Sequence, residues 1–191
     1  MLTANLARML SVVLLVAAGG LFATPAQVMA EERRCTGTLR AITVDNLRVP
    51  SGARCELLGT TVKGTIKVGS NAVLRAFGVR VVGNVQGENS KKVVLRDGSR
   101  VGGSVQVVQS GVVKVLDSRI NGDILIDEND GRNNIRRNVV GGNIQAFQNT
   151  GGVEIYRNRV DGNLQCKENR PRPIGANNIV QGNKEDQCRG F

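Results

Sequence analysis

The sequence has no histidine and no tryptophan, and only one tyrosine and four phenylalanines among 191 residues. Without histidine there is no imidazole to act as a general base, activate a nucleophile or bind a metal. The four cysteines contain no C-x-x-C pair, so a thiolate zinc site has no local signature either. Few aromatics leave little surface for stacking sugars or single-stranded nucleic acid, and no specific nucleic-acid partner is expected. The same scarcity means that any core must be filled by Val, Ile and Leu, of which Val and Ile favour strands.

Acids are scarcer than bases. The chain holds 26 Lys+Arg against 16 Asp+Glu, a net charge of +10. Residues 1–30 contain one base, Arg8, and no acid, so nearly all of this charge belongs to residues 31–191. An excess of this size favours an anionic partner.

Long apolar runs are also lacking, with one exception. Residues 9–22 carry no charge, follow Arg8 and precede the small-residue pattern Val28-Met29-Ala30. This stretch is shorter than the roughly 20 residues needed to span a bilayer. Residues 1–30 therefore read as a secretory signal peptide cut after Ala30, with Ala26 as the alternative, and 31–191 as one domain. That reading places the mature chain in the periplasm or outside the cell, with no membrane span after cleavage.

What the sequence has in abundance is a repeat. Gly64, Gly83, Gly103, Gly122, Gly142, Gly162 and Gly182 are separated by steps of 19, 20, 19, 20, 20 and 20. They sit in "VKGTI", "VVGNV", "GGSVQ", "NGDIL", "GGNIQ", "DGNLQ" and "QGNKE". Gly37 in "TGTL" starts an earlier, irregular unit. Helical repeats need about 33 residues or more, and the leucine-rich framework is absent.

Each unit instead shows short stretches of period two, the signature of strands. One follows the glycine: Val105 and Val107, Ile124 and Ile126, Ile144 and Ala146. Another comes about ten residues later: Val93 and Leu95, Val113 and Val115, Val153 and Ile155. A third leads into the next glycine through Val82, Val101, Ile120, Val140, Val160 and Val180. Three short strands per turn predict an all-β fold, a single-stranded right-handed parallel β-helix of about 7–8 rungs of about 20 residues.

Three polar columns fit this stacking. They are Asn84, Ser104, Asp123, Asn143, Asn163 and Asn183; then Asn129, Asn149 and Asn169; then Asn138, Asn158 and Asn178. They are expected on the outside, bonded up and down as in other stacked amide ladders. The Gly and Asn residues are expected to serve sharp corners that need left-handed backbone.

With its spaced glycines and V-x-V pattern, the chain from about residue 37 to 188 resembles right-handed parallel β-helix proteins and is similar to bactofilin repeats. Its tail, "GNLQCKEN" to "GNKEDQC", is similar to small secreted bacterial proteins of no assigned function. The resemblance implies an architecture and no particular activity. A bactofilin would be a cytoplasmic polymer, which the leader argues against.

Cys35 and Cys55 lie 20 residues apart, and Cys166 and Cys188 lie 22 apart, each about one rung. Stacked strands about 4.8 Å apart put those pairs within disulfide reach, so Cys35–Cys55 and Cys166–Cys188 are the expected bridges. Where earlier units place Val85, Val105, Ile124, Ile144 and Leu164 inward, the last has Lys184, then Glu185 and Asp186. Charge there caps the end, and the expected state is a monomer.

Catalysis finds little support. The acids Asp97, Asp117, Asp123, Glu154 and Asp161 are scattered and read as surface carboxylates, and no long insertion builds a cleft. A polysaccharide lyase-like or other carbohydrate-active or carbohydrate-binding protein is the alternative function. "DENDGRNN" offers Asp127 and Asp130 as weak calcium candidates, but its spacing does not match an EF-hand loop. No cofactor is expected.

Arginine carries the stronger signal. Arg80, Arg100, Arg119 and Arg159 occupy nearly the same place in their units, just before the next corner, with Arg96, Arg136, Arg137 and Arg157 nearby. Stacking turns that recurrence into a charged edge, balanced by acids such as Asp97 and Asp117 or by a bound polyanion. Guanidinium suits carboxylate and phosphate. The expected function is a non-enzymatic, structural or envelope-binding module whose partner is acidic polysaccharide, lipopolysaccharide or another envelope polyanion.

Overall fold

The computed structural model describes residues 31–191. The expected signal peptide lies outside the described residues.

Among these residues there is no helix, and the strands form three parallel sheets. The first sheet has nine strands, from Glu32–Arg34 to Lys184–Asp186. The second has eight, from Thr38–Leu39 to Ile174–Ala176, and the third has eight of two residues each, from Thr43–Val44 to Ile179–Val180. Within each sheet every strand pairs with the one that comes three strands later in the chain. The result is a solenoid of about 7 turns with the 20-residue spacing of the sequence repeat.

Alternation sets the core. In the first sheet Val105, Ile124, Ile144 and Leu164 stack in register, all fully buried, while Gln106 between Val105 and Val107 is exposed. In the second, Val93, Leu95, Val113, Val115, Ile135, Val153 and Ile155 point inward. The third sheet contributes one inward residue per turn: Val81, Val101, Ile120, Val140 and Val160. In the earliest of these turns the inward residue is Val81 rather than Val82, which is 54% exposed. Val101 pairs with Val81, and both lie two residues before their glycine, so this turn keeps the offset of the later ones and the expectation of Val82 was one residue out.

Two columns predicted to face solvent are buried instead. Asn129, Asn149 and Asn169 lie inside one corner, and Asn138, Asn158 and Asn178 inside another. Each side-chain oxygen accepts the backbone N–H of the preceding turn, as Asn158 Oδ1 does from Asn138 N at 3.0 Å. Each amide nitrogen donates to a backbone carbonyl, as Asn158 Nδ2 does to Ile135 O at 2.9 Å. An amide is admitted to the interior because the corner backbone would otherwise leave these groups unpaired. Serines take the same roles earlier in the chain, with Ser110 Oγ accepting from Ser90 N at 2.9 Å. Only the column through Asn84, Ser104, Asp123, Asn143, Asn163 and Asn183 stays partly or fully exposed.

The recurrent glycines are required for a different reason from the one expected. None of the seven has positive φ. A Cβ on Gly162 would lie 2.8 Å from Gly142 O, and one on Gly83 would lie 2.7 Å from Gly64 O. They are glycine because the preceding turn's backbone passes too close for a side chain. Left-handed backbone occurs at the other two corners, on Asn89, Gln109, Glu128, Gln148 and Glu168, and on Asp97, Asp117, Arg137, Arg157 and Asn177.

Both ends are stapled as the repeat predicts. Cys35–Cys55 has Cα atoms 5.5 Å apart, and Cys166–Cys188 has them 5.2 Å apart. Lys184 stacks on Leu164 and is half-buried. Gln187 closes one amide ladder, accepting from Asn169 Nδ2 at 3.1 Å, and Phe191 packs against the core.

Candidate functional site

The arginine edge belongs to the third sheet. Each of its strands has two residues, so one side chain faces out and the next faces in. Register aligns Arg80, Arg100 and Arg119 on consecutive turns, then Val139, then Arg159. All four arginines are exposed. Adjacent strands set their backbones about 4.8 Å apart.

The acids expected to balance this row are engaged elsewhere. Asp97 pairs with Arg96 at 3.4 Å. Asp117 pairs with Arg137, which donates from Nε at 2.5 Å and from Nη2 at 2.7 Å. That hydrogen bond holds the Asp117 carboxyl below its ordinary value and raises Arg137 above its own. Among the described residues, no carboxylate forms an ion pair with Arg80, Arg100, Arg119 or Arg159.

The remaining acids make structural bonds. Asp123 Oδ1 accepts from Asn143 N at 2.6 Å, and Asp161 Oδ1 accepts from Gln181 Nε2 at 3.0 Å. Glu154 is not the surface carboxylate expected: it is 5% exposed and ion-paired to both Arg132 and Arg136. Arg132 Nε reaches it at 2.8 Å and Asn134 Nδ2 at 3.2 Å. Its burial follows from pairing with Asn134 between those two arginines.

Asp127 lies at the end of strand Ile124–Asp127, in register between Val108 and Phe147. Its Oδ1 is buried without a hydrogen-bond partner, and burial together with the Glu128 charge pushes its carboxyl up. Asp130 sits on an exposed turn. No three acidic, histidine or cysteine side chains gather as a metal site would require among the described residues, and these two are not brought into one.

A second basic surface, on the outside of the second sheet, was not singled out from the sequence. There Arg75, Val94 and Lys114 stack on three consecutive turns, and Lys92 and Arg96 flank Val94 along its own strand. Its residues are spread between positions 75 and 114 and gather only once the strand pairing is known. Arg96 also lies over the Phe77 ring, 4.6 Å from its centre.

Three parallel sheets wound in equal turns define the class, a parallel β-solenoid. Comparison of the chain with protein-family models, with curated proteins and with solved structures finds no match. The two disulfides suit an oxidising compartment.

Proposed function

We propose that the protein is a secreted or periplasmic, non-enzymatic β-solenoid that binds an acidic envelope polymer, foremost an acidic polysaccharide, along its arginine edge. The observation that carries this reading is that Arg80, Arg100 and Arg119 stand in register on consecutive turns without a carboxylate partner. Parallel stacking holds like charges close together, and no ion pair among the described residues offsets them. An external row of anions would. Each turn then contributes one weak, exposed contact, and linked contacts give avidity that grows with polymer length. The engagement of Asp117, Asp123, Glu154 and Asp161 in structural bonds favours binding over catalysis, because a catalytic pair needs free, convergent carboxyl groups.

The test is titration of the oxidised domain with alginate, heparin, lipopolysaccharide and DNA at low salt. A long polymer is expected to bind better than its short fragments, with affinity falling as salt rises. Changing Arg100 and Arg119 together to Gln lowers affinity without lowering the thermal midpoint. Absence of binding to all four polymers removes the proposal.

A further inference from the structure

The second sheet shows one arrangement of outward positions twice, two turns apart, with opposite charge at its centre. In the C-terminal copy, strand Asn133–Arg136 places Asn134 beneath Glu154, with Arg132 and Arg136 two residues to either side. Both arginines and Asn134 close on the Glu154 carboxylate. In the N-terminal copy, strand Lys92–Arg96 places Val94 beneath Lys114, with Lys92 and Arg96 two residues to either side. Lys92 thus corresponds to Arg132, Val94 to Asn134, Arg96 to Arg136 and Lys114 to Glu154. Arg75 lies on the turn below Val94 and completes a ring of four cations around a nearly buried valine.

We propose that this ring, Arg75, Lys92, Arg96 and Lys114, is a second anion site that takes from a ligand the carboxylate or phosphate group that Glu154 supplies internally two turns away. The site lies on a different sheet from the arginine edge and stands without it. The C-terminal copy shows that the backbone geometry lets two cations, one just before a strand and one at its end, converge on an oxyanion held over the next. The N-terminal copy keeps both cations and replaces the oxyanion with a third. Two acids lie near it: Asp97 reaches only Arg96, at 3.4 Å, and Glu56 stands in register with Arg75 on the turn before without forming an ion pair. Arg75, Lys92 and Lys114 have no ion-pair partner among the described residues, and Lys92 is held below its ordinary value by burial and by the Arg75 and Lys114 charges. A bound oxyanion relieves that repulsion, and guanidinium and ammonium both bind carboxylate and phosphate.

Backbone amide NMR of the oxidised domain, titrated separately with inorganic phosphate and with a trigalacturonate, tests the site. Shifts centred on residues 92–96 and 112–116 support it, and the stronger probe identifies the source of the oxyanion. Lys114→Glu rebuilds the internal clamp. It should abolish those shifts and raise the thermal midpoint of the free protein. Lys114→Gln should weaken binding several-fold without unfolding the domain. The double variant Arg100→Gln/Arg119→Gln should leave these shifts intact, which separates failure of this site from failure of the edge. The proposal is overturned if neither probe shifts these residues, or if Lys114→Glu leaves the shifts unchanged.

Discussion

Asn149 Nδ2 donates to Asn169 Oδ1 at 2.8 Å, with both side chains shut off from solvent. The same nitrogen also donates to Ile126 O at 3.2 Å, and Asn149 Oδ1 accepts from Asn129 N at 3.1 Å. One side chain therefore satisfies polar groups on two other turns. Removing it strands them in the interior, where each unsatisfied group costs about 1–3 kcal/mol. Asn149→Ala is expected to lower stability by about 3 kcal/mol in urea denaturation. Asn183→Ala, at the exposed end of the outer column, should stay within about 0.5 kcal/mol. Equal effects would mean that the buried ladder does not hold its corner.

Glu154 is buried between Arg132 and Arg136, and each arginine reaches solvent, with 73% and 36% of its side chain exposed. Glu154→Gln leaves two partly hydrated cations side by side. The expected loss is about 1–2 kcal/mol, below the 3–5 kcal/mol of a fully buried broken pair. Arg132→Gln should cost less, since Arg136 and Asn134 keep the carboxylate bonded. Chemical denaturation of the two variants at pH 7 decides the order.

Asp127 works against the fold at neutral pH. Its folded pKa is raised above 3.8 by burial and by Glu128, so ionisation is less favourable in the native state. The penalty is full above the folded value, shrinks as pH falls through it, and vanishes below the unfolded value. Asp127→Asn is therefore expected to raise the urea midpoint at pH 7 and to leave it nearly unchanged at pH 3. A loss of stability at pH 7 would instead show the carboxylate bonding to something that an amide cannot replace.

Non-reducing peptide mapping should recover Cys35 joined to Cys55 and Cys166 joined to Cys188. Each bridge closes a loop of about one turn, 20 or 22 residues. Loops of that size contribute about 3 kcal/mol each in the chain-entropy picture. Hydrogen exchange after reduction should show the terminal turns opening before the middle. Recovery of a Cys55–Cys166 peptide would contradict the stacking.

The solenoid was legible in the sequence because its core rule is simple. Val105, Ile124, Ile144 and Leu164 must fall on one another, so the period had to be written into the chain. The recurrence of Arg80, Arg100, Arg119 and Arg159 was legible for the same reason, although in the earliest turn the inward neighbour is Val81 and not the expected Val82. The side taken by the asparagines was not legible. A column of amides bonds along the axis equally well inside or outside, and only the corner N–H and carbonyl groups decide between them. The left-handed corners carried no common residue type, since Gln109, Glu128, Arg137 and Arg157 all adopt that backbone. The cation ring escaped notice because Arg75 and Lys114 become neighbours only through Val94.

The disulfides also determine how the domain would bear a mechanical load. Every strand hydrogen bond runs along the stack, so a pull on the two termini peels turns from the ends like an opening zip. At the N-terminal end the tension reaches Cys35 and crosses the bridge straight to Cys55. The chain between them carries no force and releases no length. At the other end the load entering at Phe191 passes from Cys188 to Cys166 in the same way. Stretched under oxidising conditions, the protein should lengthen by less than its residue count allows. The shortfall is the slack held inside two closed loops, and a reducing agent would release it.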